Sequence, residues 1–235
     1  MNLNTLNEFR HAVSGCFKQA GDALFNTIDA LSSETAAHSF PELSLSPLFQ
    51  RRWPSLYEAF EDGKIDVEKL RQVFVQFAPL PGTGEYVFLG VDTSNLYRRE
   101  AETSADRTLV PLANLPECDH AVCPGWVFSH VVLLPAEAGQ GTFVLDTQRV
   151  ASSGLATQVG ANQVLAVVDL LVQRGLRPVI IGDRWYACAP FLVRLRSLSG
   201  AHGRGGSQLS VARQKQSRLL PPRPTSPARA AWSQS

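Results

Sequence analysis

Two short apolar runs, each leading into an aspartate, limit what this chain can fold into. The first is Tyr86-Val87-Phe88-Leu89-Gly90-Val91, followed by Asp92. The second is Pro178-Val179-Ile180-Ile181, followed by Gly182 and Asp183. Both are shorter than two helical turns and almost continuous in apolar character, which is the pattern of strands covered on both faces. Strands of that kind belong to layered α/β folds, in which helices bury the sheet.

The remaining periodicity supplies the other layers. Residues 1–79 read as helical. Leu6, Phe9, Val13 and Phe17 recur at helical spacing, as do Leu24, Ile28 and Leu31 in the stretch 23–31. A third helix is expected around Trp53, Leu56, Tyr57 and Phe60, and a fourth over 67–77, capped by Asp66. Pro79-Leu80-Pro81-Gly82 breaks the pattern and marks a boundary. Strands are then expected at 86–91, 126–134 and 142–145, the last two joined by a Gly-rich turn at 138–141. The clearest helix follows, with Asn162 as cap, Val164, Val167, Val168, Leu171 and Val172 on one face, and Gly175 as its stop. After the strand at 178–181, residues 189–195 make another helix-length run. This order gives an α/β domain with a mixed sheet over residues 80–196, preceded by an all-helical region over 1–79.

Charge separates the last part of the chain from the rest. Across 235 residues, 22 Lys and Arg stand against 21 Asp and Glu, a net charge of +1. No acid follows Asp183, whereas nine Lys and Arg do, so residues 1–183 carry a net charge of −8. Residues 197–235 are dominated by Ser, Gly, Arg, Pro and Gln without periodicity and are expected to be a disordered basic tail. Four scattered cysteines do not make a disulfide framework. No apolar run approaches the roughly 18 residues of a membrane span, and the polar N-terminus does not read as a secretory signal. The cytoplasm is the expected compartment.

An aspartate just past a strand is often a cap or loop residue, so spacing alone leaves Asp92 and Asp183 open. The residues around them say more. Val87-Phe88-Leu89-Gly90-Val91-Asp92-Thr93-Ser94, with Arg98-Arg99 and Ser104-Ala105-Asp106-Arg107, resembles the first-aspartate block of DDE-type insertion-sequence transposases. Val179-Ile180-Ile181-Gly182-Asp183-Arg184-Trp185-Tyr186, with Phe191-Leu192, resembles their second-aspartate block; Pro124-Gly125-Trp126 and Val144-Leu145-Asp146 also fit. The resemblance covers roughly residues 80–196 and implies a ribonuclease H-like fold whose central parallel strands bring the two acids together. It implies Asp92 and Asp183 as catalytic metal ligands for Mg²⁺ or Mn²⁺, and DNA ends and target DNA as substrates, with the enzyme as a homo-oligomer. Carboxylate pairs of this kind hold hard cations that activate an attacking oxygen and stabilise a leaving one. Arg98, Arg99, Arg107 and Arg184 are candidate phosphate contacts, with surface ion pairs as the ordinary alternative.

The same resemblance calls for a third acid, a Glu on a later helix, and none follows Asp183. The catalytic domain is therefore expected to be incomplete. The tail then reads as an out-of-frame extension, a frameshift junction or a basic DNA-binding arm. A transposase fragment inactive by itself is the expectation, with a non-catalytic DNA-binding or regulatory remnant as the alternative. Residues 1–79 are expected to serve DNA binding or dimerisation.

Several other features have plainer readings. Cys118 and Cys123, with His120 between them and His130 beyond, lack the spacing of a zinc finger and a second ligand pair. Asp146 is expected to pair with Arg149 or cap a turn rather than face the acidic centre. Trp126 and Trp185 are expected in the core. Gly90 to Ser94 has the flavour of an actin-like phosphate-binding turn, but the later Gly-rich loops that such a site needs are missing.

Overall fold

The computed structural model describes residues 2–100, 102–111, 122–135, 139–201 and 212–213. The first part is built from α1 (Leu3–Ser14), β1 (Phe17–Gln19), α2 (Gly21–Ser33), α3 (Phe40–Leu43), α4 (Pro54–Asp62), β2 (Lys64–Ile65) and α5 (Val67–Phe77). Local chemistry sets the helix starts. The Asn2 side chain accepts from the Thr5 N–H at 2.8 Å, and Asp66 Oδ1 accepts from the Lys69 N–H at 3.0 Å, as its sequence position predicts. The helices are joined by a small antiparallel ribbon of β1 and β2, which the periodicity does not reveal. Val13, Cys16 and Val73 form one small core with Phe9 and Phe77; Ala30, Leu43, Phe49 and Leu56 form another.

The second part runs β3 (Tyr86–Tyr97), β4 (Thr108–Pro111), β5 (Val122–Leu133), β6 (Phe143–Val150), α6 (Ala156–Gln173), β7 (Arg177–Gly182), α7 (Ala189–Ala201) and β8 (Ala212–Arg213). β3 lies between antiparallel β5 and parallel β7. β6 and β4 pair with different stretches of β5, on its side away from β3, and β8 pairs in parallel with the end of β7. The main order is thus β6-β5-β3-β7-β8, a mixed α/β sheet of ribonuclease H-like arrangement. β8 meets β7 only at Ile181 and Gly182. No helix among the described residues is long and apolar enough to cross a membrane.

The core lies on one face of this sheet. Val87, Leu89 and Val91 of β3, Val131 and Leu133 of β5, Leu145 of β6 and Ile180 of β7 pack against Val164, Val167, Val168 and Leu171 of α6, with Phe191 and Leu195 of α7. The alternate residues of β3 point the other way, and Phe88 is 44% exposed. β3 is therefore buried on one face rather than two, because the described helices that pack on it lie on that face. Two further expectations are corrected. Asn162 is not the cap of α6, which begins six residues earlier; its side chain instead accepts from Arg194 Nε at 2.7 Å. Trp185 is 71% exposed and outside the core, because the turn after β7 carries it away from the sheet.

α5 belongs to both parts. Leu70, Val73 and Phe77 join the small core beside α1, while Val75 joins the main core. Arg71 reaches Asp146 on β6, Nε to Oδ2 at 3.1 Å, with both side chains buried. Gln148 Nε2 donates to the same carboxylate oxygen at 3.1 Å. Asp146 thus pairs with neither Arg149 nor a turn. It faces the helical side of the sheet, because its register partner Val131 is itself a core residue. The positive partner of Asp106 is Arg149, at 2.9 Å.

Removing one member of a buried pair leaves an uncompensated charge, which costs about 3–5 kcal/mol. Arg71→Met is expected to lose about 3 kcal/mol in urea unfolding, and Arg71→Met/Asp146→Leu to recover most of it. Wild-type stability in the single variant would show that this pair is not buried in solution.

Candidate active site

The site follows from strand register. β3 and β7 pair in parallel from Tyr86↔Arg177 to Val91↔Gly182, and the next residues on the two strands are Asp92 and Asp183. Neighbouring strands lie about 4.8 Å apart, so two acids at equivalent positions emerge side by side. Asp92 does not end its strand as the apolar run suggests. β3 continues to Tyr97, because β5 goes on pairing with it after β7 has stopped.

Both carboxylates are exposed and held in the same manner. Asp92 Oδ1 accepts the Thr93 N–H at 2.7 Å, and Asp183 Oδ1 accepts the Trp185 N–H at 2.9 Å. Neither takes part in an ion pair among the described residues. Hard carboxylate oxygens suit Mg²⁺ or Mn²⁺ in kind. In number they fall short, for no group of three His, Cys, Asp or Glu side chains able to hold a metal ion exists among the described residues.

On the core face, against the ends of β3 and β7, lies a buried polar group that the sequence patterns do not single out. The turn after Asp183, closed by Tyr186 N–H to Asp183 O at 3.2 Å, returns Tyr186 to the core. Its ring is accommodated by two glycines. A Cβ on Gly160 of α6 would come within 2.8 Å of Tyr186 Cε1, and one on Gly182 within 3.0 Å of Tyr186 Cβ. Gln163 Nε2 donates to the Ser129 carbonyl at 3.2 Å. Tyr186 OH, Ser129 Oγ and Gln163 Oε1 are buried close together here, with the Tyr186 and Ser129 hydroxyls facing one another. Burial pushes the Tyr186 phenol up to about 12, opposed by the nearby Ser129 hydroxyl and assisted by the charges of Asp92 and Asp183. The signal available in the sequence was the pair of glycines at positions where a helix and a strand interior ordinarily avoid them.

On the open face, His130 of β5 is in register with Asp92 on one side and Thr147 of β6 on the other. Its ring nitrogens lie 2.7 Å from Ser94 Oγ and 3.0 Å from Thr147 Oγ1, which turns the ring toward these hydroxyls. Cys118 and His120, the other parts of the weighed zinc arrangement, lie outside the described residues, as do residues 202–211 and 214–235 of the expected tail and Ala138 of the expected turn.

The four candidate arginines fall into two places. Arg184 is exposed and directly follows Asp183. Arg98, Arg99 and Arg107 sit at the far end of β3, with Arg98 about 20 Å along the strand from Asp92 at 3.3 Å per residue. Arg98 stacks over the Trp126 ring with Cζ 5.3 Å from the centroid, and Arg149 also packs on that ring at 5.7 Å. Trp126 is therefore a half-buried platform for guanidinium groups rather than a core residue. Arg107 bonds the carbonyls of Arg98 and Glu102, both at 3.0 Å, and so clasps its own loop.

The sequence profile of the DDE superfamily endonucleases matches residues 12–232, nearly the whole chain. A search of curated proteins finds no match.

The raised Tyr186 value has a stability consequence. The folded state holds the phenol proton more tightly than the ordinary value of 10.0 allows, so the associated stability is present below pH 10 and lost as pH rises toward 12. Between pH 9 and 11.5 the urea midpoint of the wild type is expected to fall further than that of Tyr186→Phe. Parallel declines would contradict the assignment.

Proposed function

The chain belongs to the DDE superfamily endonucleases, and on that premise we propose that it is the two-aspartate part of an insertion-sequence transposase, inactive in strand cleavage by itself. The family makes DNA the substrate. The observation that carries the reading is the Val91↔Gly182 register, which sets Asp92 and Asp183 side by side at the end of parallel β3 and β7. In this reading both acids are catalytic metal ligands for Mg²⁺ or Mn²⁺. When bound, such an ion supplies charge neutralisation at the phosphodiester and activates an attacking oxygen.

The chain's own residues do the positioning. Thr93 and Trp185 N–H groups fix one oxygen of each acid, which leaves the other oxygen of each to face the ligand. Arg184, beside Asp183, contacts the phosphate nearest the acids. Arg98 and Arg99 contact DNA further along, on a loop that Arg107 keeps in shape. In transposition the full reaction cuts and rejoins DNA, carried out by a homo-oligomer in the cytoplasm. Residues 80–196 form the catalytic domain in this proposal, and residues 1–79 contribute DNA binding or dimerisation.

Inactivity follows from ligand count. No Asp or Glu follows Asp183 in the sequence. Two carboxylates would give a divalent cation only part of a ligand set, whereas phosphodiester chemistry depends on positioning and charge neutralisation. A second reading, a DNA-binding regulator without catalysis, is favoured by the nine cations that follow Asp183.

Supercoiled DNA incubated with the chain and Mg²⁺ or Mn²⁺ is expected to remain intact, while duplex DNA is retained at low salt and released as salt rises. Mg²⁺-dependent nicking that vanishes in Asp92→Ala would overturn the claim of inactivity. Failure to bind duplex DNA even at low salt would remove the regulatory reading.

A further inference from the structure

We propose that the exposed aromatic face of α4 is a self-association surface, on which a second copy of this chain lies with its own α4 antiparallel. The inference rests on the reading of residues 1–79 as a dimerisation region and is independent of the acid pair.

α4 carries two apolar faces, and the fold covers one of them. Leu56 is buried with Ala30, Leu43 and Phe49, and Ala59 is buried with Ala23 and Leu24 of α2. Trp53, Tyr57 and Phe60 follow a different stripe, at i, i+4 and i+7, and are 56%, 44% and 50% exposed. Phe40 of α3 joins them. Its ring stacks on Phe60 with centroids 5.0 Å apart and meets Tyr57 edge-on at 5.6 Å, while Trp53 meets Tyr57 at 5.8 Å. The four rings form one continuous patch in solvent. Aromatic side chains of this size, about half exposed, present on the order of 400 Å² of apolar surface, roughly half of one partner's share of a standard interface. An aromatic centre with a charged border has the make-up of an interface core and rim.

The border indicates what covers the patch. Arg51 and Arg52 precede the helix, and Glu58, Glu61 and Asp62 lie in its second half. The first turn has no acid and the last turn no base. This order opposes the helix dipole, whose N-terminal end favours anions and whose C-terminal end favours cations. Arg52, Glu58, Glu61 and Asp62 are exposed and take part in no ion pair among the described residues. A second α4 laid antiparallel brings the arginine end of each copy beside the acidic end of the other. The match is reciprocal, as a two-fold interface requires. Exposed rings also stack on nucleic-acid bases, but the acids beside these rings repel phosphate. A second copy is the occupant that suits both the rings and the charges.

The test is sedimentation of the full chain across a range of concentrations at low salt, where surface charges act most strongly. The samples are wild type, Trp53→Ala, Arg52→Glu, Glu61→Arg and an equimolar mixture of the last two. The wild type is expected to show a monomer–dimer equilibrium, and Trp53→Ala to raise its dissociation constant about tenfold, as loss of an aromatic anchor does. Arg52→Glu and Glu61→Arg should each dimerise more weakly alone, while their mixture regains the wild-type strength through the restored pairing. A wild-type dimer unchanged in all three variants, or a mixture no stronger than its components, would overturn this surface and leave dimerisation standing. A monomer at every concentration would remove the dimerisation reading and this inference with it.

Discussion

The parallel pairing of β3 with β7 is the constraint on which the rest of the structure depends. Its register is set at the end opposite the acids. Gly84 N–H donates to Gly175 O at 2.8 Å, and Arg177 N–H donates to Glu85 O at 2.9 Å, so the first residues of both strands are tied as α6 ends. Gly175 can make this junction because it has φ of +74° and no Cβ; a Cβ there would lie 2.7 Å from Thr83 Cγ2. From that knot the ladder runs to Val91↔Gly182 and delivers Asp92 beside Asp183. A slip of one residue would turn each side chain to the opposite face, and the covered core face forbids it.

α5 links this sheet to the helical region. Its Val75 enters the main core and its Val73 the smaller one, so neither core is complete without it. The buried Arg71–Asp146 pair fixes which turn of α5 meets β6. Such a pair adds little net stability over an apolar replacement, because desolvation offsets the attraction. What it supplies here is registry: an arginine displaced by one turn would leave Asp146 buried beside Gln148 alone. Arg174 adds a second tie, donating from Nη1 to the Val75 carbonyl at 2.8 Å.

Features decided within a few residues were legible in the sequence. Asp66 caps α5, Gly175 ends α6, and the run 178–181 is a strand, because a cap, a left-handed turn and a short apolar run are local matters. Features decided by distant partners were not. Asp92 to Tyr97 looks like loop, yet β5 supplies the ladder that makes it strand. Thr108–Pro111 holds a proline and looks weak, yet it finds half of an edge on β5. Asp146 met Arg71 across 75 positions of sequence, beyond the reach of any spacing argument. The two acids are legible from the residues that flank them, whereas the buried polar group on the core face is not, because Ser129 comes from β5, Gln163 from α6 and Tyr186 from the turn after β7.

The central claim is that Asp92 and Asp183 hold one divalent cation between them. A double-mutant cycle on Mn²⁺ affinity, measured calorimetrically with Asp92→Asn, Asp183→Asn and the double variant, tests it most directly. Residues that share a ligand are strongly non-additive. The account predicts that either single substitution removes nearly all binding and that the double variant is no worse. Additive losses, or a single variant that binds as well as the wild type, would mean that the two strand ends do not form a common site.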